Sequence, residues 1–85
     1  MAVSVSVLYF AALRDLAGTA EETFSVPAGA PVVVSTLLAA LELEHVTLRG
    51  TLGSVRVAVN EEFVELGQQL HEGDIVALIP PVSGG

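Results

Sequence analysis

An 85-residue chain has room for one domain around one core, and the absence of cysteine excludes a disulfide framework, a thiolate metal site and a catalytic thiol. Three arginines and no lysine against ten acids give a net charge of −7, which argues against nucleic acid or an anionic membrane as partner and favours a basic protein. Hydrophobic residues make up 52% of a chain whose size lets it bury only about 60% of its unfolded surface, so an exposed apolar patch of the kind that marks partner sites is expected.

The opening Met1-Ala2-Val3-Ser4-Val5-Ser6 has no basic n-region and interrupts its apolar residues with serine, unlike a signal peptide. No apolar run approaches the roughly 20 residues of a membrane span. The chain therefore reads as soluble, unprocessed and cytoplasmic, an assignment that the lack of cysteine suits. Val3, Val5, Val7 and Tyr9 alternate with Ser4, Ser6 and Leu8, which predicts a half-buried first strand. Phe10, Leu13, Leu16 and Ala17 then recur at helical spacing, and Gly18 supplies a stop, so a short helix follows. Glu21 to Val26 reads as a second strand, ended by Pro27-Ala28-Gly29-Ala30-Pro31.

Between Val32 and Leu43 the apolar positions Val34, Leu37, Leu38 and Leu41 form one helix face, with a ragged start because the leading valines are poor helix formers. Val55 to Val59 is the next alternating strand. Asn60-Glu61-Glu62 is the turn into Phe63-Val64-Glu65-Leu66, asparagine being suited to positive φ. Leu70 to Asp74 makes a further turn into Ile75 to Ile79, a continuous apolar run that reads as a central strand buried on both faces. Strands, one main helix and strands again imply an α+β domain: a mixed sheet of four to five strands with the helix packed on one face. If the last strand lies beside the first, the two are parallel and the fold is a ubiquitin-like β-grasp, with the C-terminus at the sheet's edge. Residues 1–80 would form this domain and residues 81–85 a flexible tail.

That tail, Pro80-Pro81-Val82-Ser83-Gly84-Gly85, is the most informative stretch. Neither proline can donate to a sheet ladder, so the pair ends the last strand. Two glycines without Cβ atoms leave the terminal acyl carbon of Gly85 uncrowded and let the end thread a narrow channel. Elsewhere no nucleophile and base are placed together. Ser54 and Ser83 lack a histidine, and His45 and His71 are solitary and read as solvated turn residues. His45 beside Glu44 falls short of a metal half-site, and no metal is expected. Glu61-Glu62 reads as turn solvation rather than paired-carboxylate catalysis.

The segments Val7-Leu8-Tyr9-Phe10-Ala11, Arg14-Asp15-Leu16-Ala17-Gly18, Ala58-Val59-Asn60 and Leu70 to Ala77, together with the Pro80-Pro81-Val82-Ser83-Gly84-Gly85 end, resemble the small subunits of molybdopterin synthase, a family of ubiquitin-like sulfur carriers. The likeness runs nearly end to end, and two prolines followed two residues later by Gly-Gly are its specific part. What it implies is chemistry at Gly85. A ubiquitin-activating-type enzyme uses ATP and magnesium to adenylate the carboxylate, and a sulfur donor, a sulfurtransferase or desulfurase, displaces AMP to leave a thiocarboxylate. Threaded through Pro80, Pro81, Val82, Ser83 and Gly84 into the large subunit, the thiocarboxylate gives sulfur to cyclic pyranopterin monophosphate, building the molybdopterin dithiolene. The resemblance also implies that the chain binds no cofactor tightly and is a consumed reagent, with the catalytic residues on the large subunit. It places the docking surface at Phe10, Phe63 and Ile79; Arg14, in the first helical turn, is set either to reach an acidic group of the partner or to pair with a nearby Glu. Carriers for thiazole, cysteine or thiouridine synthesis, and ubiquitin-like protein modifiers, share the Gly-Gly end and are the rival readings.

Overall fold

The structure is a computed structural model that describes residues 2–27 and 31–81. Strand β1 (Ala2–Tyr9) forms where valine alternates with serine, and Val5, Val7 and Tyr9 are buried as the period of two requires. The chain leaves it through Ala11, whose φ is positive, and makes helix α1 (Ala12–Ala17). Gly18 ends α1 in the left-handed conformation, φ 80°, donating its N–H to the Arg14 carbonyl. Of the residues at helical spacing only Leu13 is buried, because one short turn can present a single side chain to the core. Strand β2 (Glu21–Pro27) returns antiparallel to β1, pairing Val5 with Phe24 and Ala2 with Pro27.

Helix α2 (Val34–Glu44) buries Val34, Leu37, Leu38 and Leu41, the predicted stripe. It starts two residues after Val32 because Val33 has extended backbone and bridges to Gln69. With no side-chain cap, the first N–H groups are satisfied by a neighbouring segment instead: Val34 donates to the Gln68 carbonyl and Ser35 to that of Leu66, each at 3.0 Å. Two single 3-10 turns, Val46–Leu48 and Leu52–Ser54, close the far end of α2 and add Leu48 and Leu52 to the core. Glu42 holds them, its Oε2 accepting from the N–H groups of Gly50 and Leu52 at 3.1 Å.

Strands β3 (Arg56–Val59) and β4 (Glu62–Val64) form a hairpin through Asn60 and Glu61, both with positive φ, the demand of a tight two-residue turn. Strand β5 (Ile75–Ile79) pairs parallel with β1 and antiparallel with β3, and the sheet order is β2-β1-β5-β3-β4. Asn60 clamps the start of β5: its Nδ2 donates to Asp74 and its Oδ1 accepts from Ile75 N–H, both at 3.0 Å.

Two expectations need correction. The apolar run of β5 is not covered on both faces: Val76 and Leu78 are fully buried, while Ile75 is 47% exposed and Ala77 and Ile79 are only partly covered. Helix α2 packs on one side and no described element covers the other. The chain also leaves the sheet from the end of its middle strand, not from an edge strand, since β5 lies between β1 and β3.

Candidate functional site

The uncovered face is built by the residues that alternate with the core. Register places Leu8, Ala77, Ala58 and Phe63 in one row across β1, β5, β3 and β4. The two alanines make this row low in the middle. The next row, at the end where the chain departs, sets Ile79 opposite Arg56, and the Phe10 N–H donates to the Leu78 carbonyl at 3.3 Å. Phe10, Ile79 and Phe63 thus share one end of one face, beside Pro80 and Pro81.

Large apolar side chains rarely stay wet without cause, and Phe10 is 46% and Phe63 59% exposed. Both lie outside the core. Ile79 is half-buried, Pro80 partly covered and Pro81 exposed. Arg14 is exposed on α1 and lines, with Phe10 and Glu21, a shallow groove on the β1 side of this end. Four of the candidate positions, Val82, Ser83, Gly84 and Gly85, lie outside the described residues.

Sequence reasoning missed Arg56. Its guanidinium carbon sits 4.2 Å from the centroid of the Phe63 ring, a cation–π stack in the middle of the apolar stripe. A signal was available, since strand alternation puts Arg56 on the face opposite Val57 and in reach of the next strand of the hairpin.

His45 is not a solvated turn residue. Its Nε2 lies 2.7 Å from Glu22 Oε2, which also accepts from the Tyr9 hydroxyl at 2.5 Å, and the Tyr9 and His45 rings meet edge to face. Burial, then the hydrogen bond to Glu22 and that carboxylate's negative charge, push the Tyr9 hydroxyl far above the usual phenol pKa. The cluster ties β1, β2 and the end of α2 on the core side, away from the apolar stripe. Its partners are 13 and 23 residues apart, so no local pattern announces it. His71, by contrast, is 70% exposed, and Glu61 and Glu62 lie in the open at the hairpin turn.

A model described as the ThiS family matches residues 7–85 of this chain. The chain belongs to the ThiS family. It is similar to the molybdopterin synthase sulfur carrier subunit of Homo sapiens, with 40% identity over 84 residues that cover 95% of this chain and 93% of the relative. Among solved structures it is similar to the putative molybdopterin converting factor, subunit 1, of Pyrococcus furiosus, at TM-score 0.81 and 34% identity, covering 94% of this chain and 99% of that one. It is also similar to a chain in the protein–protein complex of subunits 1 and 2 of the molybdopterin-converting factor of Helicobacter pylori, at TM-score 0.64 and 30% identity, covering 98% and 100%. This ThiS-family chain has the ubiquitin-like β-grasp fold, and its resemblance to sulfur carrier subunits of molybdopterin synthase holds over nearly its whole length.

Proposed function

We propose that this chain is the sulfur-carrying small subunit of a molybdopterin synthase, and that Gly85 is its one reacting residue. The observation that carries the reading is an uncovered apolar stripe, exposed Phe10 and Phe63 with half-buried Ile79, beside Pro80 and Pro81, in a chain whose sequence runs on to Val82-Ser83-Gly84-Gly85. A docking face in a chain that ends on a side-chain-free acyl group suits a reagent delivered into another protein's active site. It does not suit a catalyst, which would need its own acid and base. The names of the similar proteins, one of them in complex with a second subunit, support the same assignment.

In this reading the Gly85 carboxylate attacks ATP on an adenylating partner, with magnesium, releasing pyrophosphate and leaving an acyl-adenylate. The terminal sulfur of the donor's persulfide then attacks the acyl carbon and expels AMP, and a thiol cleaves the S–S bond of the acyl disulfide so formed, leaving with the donor's sulfur as a disulfide. The resulting thiocarboxylate holds an anionic, polarisable sulfur, a strong nucleophile for the reason a thiolate is one. Docking of the stripe on the large subunit carries the sulfur to cyclic pyranopterin monophosphate. After transfer, water supplies the oxygen that returns Gly85 to a carboxylate, and two such cycles build the dithiolene.

The test is reconstitution. The chain is loaded as the thiocarboxylate and mixed with the large subunit and the pyranopterin precursor; product is assayed while intact mass follows the tail. Dithiolene formation with return of the tail to carboxylate is expected. A loaded tail that yields no product would refute this acceptor and point to another sulfur pathway.

A further inference from the structure

Resting on the small-subunit reading above, we infer that Arg56 is the specificity-determining charge of the docking face and that the large subunit meets it with a carboxylate. The guanidinium carbon lies 4.2 Å over the centre of the Phe63 ring, and Arg56 opposes Ile79 in the β3–β5 register. Among the described residues the ion pairs within 4.0 Å join His45 to Glu22 and His71 to Asp74; neither includes an arginine. Glu65 borders the same shallow groove as Arg56 and Phe63, and Glu62 sits on β4, yet neither comes within that distance of the guanidinium.

Contact with the ring restrains the guanidinium, and among the described residues its N–H donors enter no ion pair, so they remain available for the two parallel hydrogen bonds that a carboxylate accepts. A partner that covers Phe63 and Ile79 also strips water from Arg56. An apolar cover would bury an unpaired cation at a large cost, whereas a carboxylate turns the same desolvation into a paired contact in a medium of low dielectric. An arginine and an aromatic side by side at a desolvated centre is the composition that dominates binding energy in protein interfaces.

The overall charge of −7 draws the chain toward a basic surface at long range. One acidic group set against Arg56 inside that basic surface would fix the register of docking, because any slip leaves both charges buried and unpaired. The partner face is therefore basic at its rim and carries a carboxylate at its centre.

The experiment titrates the cognate large subunit with the wild-type chain and with Arg56→Leu, Arg56→Lys and Arg56→Glu, with thermal unfolding of each as a check on folding. Arg56→Leu is expected to weaken binding about tenfold to a hundredfold with its melting temperature unchanged. Arg56→Lys recovers part of the loss, since lysine keeps the charge but not the planar fork. Arg56→Glu weakens binding further, and reversing one acidic residue of the large subunit to arginine restores it. Arg56→Leu binding as tightly as wild type or tighter would overturn the inference, as would a loss confined to the adenylating partner. A wild-type chain that fails to bind the large subunit at all overturns the functional reading with it, a result distinguishable from every outcome specific to Arg56.

Discussion

The two faces of the sheet both carry large apolar residues, and those residues have opposite fates. On one, Val7, Val76, Leu78 and Val57 pack under α2 and are fully or almost fully buried. On the other, Leu8, Ile75, Ala77, Ile79 and Phe63 are partly or largely open. Hydrophobicity alone therefore does not separate the core from the uncovered face here. What separates them is whether another element of the same chain is available to cover the face, and an 85-residue chain has one main helix for two faces. The polar residues follow suit. Tyr9, Glu22 and His45 satisfy one another on the covered side, whereas Arg56 on the open side lies over an aromatic ring and, among the described residues, joins no ion pair.

The contrast yields mutational predictions that differ in kind between the regions. The largest effect is expected at the tail: deleting Gly85 should abolish loading, read as the loss of the thiocarboxylate mass shift, while the melting temperature stays at the wild-type value. Loading that survives the deletion would break the assignment of chemistry to this end. Next comes the covered face. Leu37→Ala should cost about 2–5 kcal/mol in denaturant unfolding, since Leu37 is fully buried and the cavity cannot easily close.

The open face should behave in reverse. Phe63→Ser should shift stability by no more than about 0.5 kcal/mol and yet weaken large-subunit binding by at least about tenfold in a calorimetric titration. A marked loss of stability in that variant would make Phe63 a core residue after all. At the covered polar cluster the effect is smaller than at Leu37: Tyr9→Phe should cost about 1–2 kcal/mol through the lost hydrogen bond to Glu22. The same site sets an alkaline limit. The folded-state pKa of Tyr9 is raised above the ordinary phenol value, so its contribution is fully present below about pH 10 and is lost as pH rises beyond it, when the unfolded chain sheds the proton first. Stability curves of wild type and Tyr9→Phe should therefore converge above pH 10.

Much of this was legible from local pattern. The Val34, Leu37, Leu38 and Leu41 stripe, the valine–serine alternation of β1 and the Asn60 turn each depend on neighbours within one turn or one strand, and each appears in the structure where the pattern put it. The site residues Phe10 and Phe63 were reached through resemblance, because an isolated phenylalanine reads equally as core or as surface. His45 and the β5 run were misread for one shared reason: in each case the deciding contact comes from elsewhere in the fold. Glu22 meets His45 across 23 residues, and nothing within Ile75–Ile79 says that α2 covers only one of its faces.

By itself the sequence determined the main strands and helices, the single core stripe of α2, the acidic charge and an uncrowded terminal carboxylate at a Gly-Gly end, since these depend on side-chain periodicity, composition and covalent structure. Only the tertiary structure decided which apolar residues are core and which are face, that Arg56 lies over Phe63, and that Tyr9, Glu22 and His45 meet. Those are matters of strand register and of which surface the one helix covers, and both are set by contacts between residues far apart in the chain.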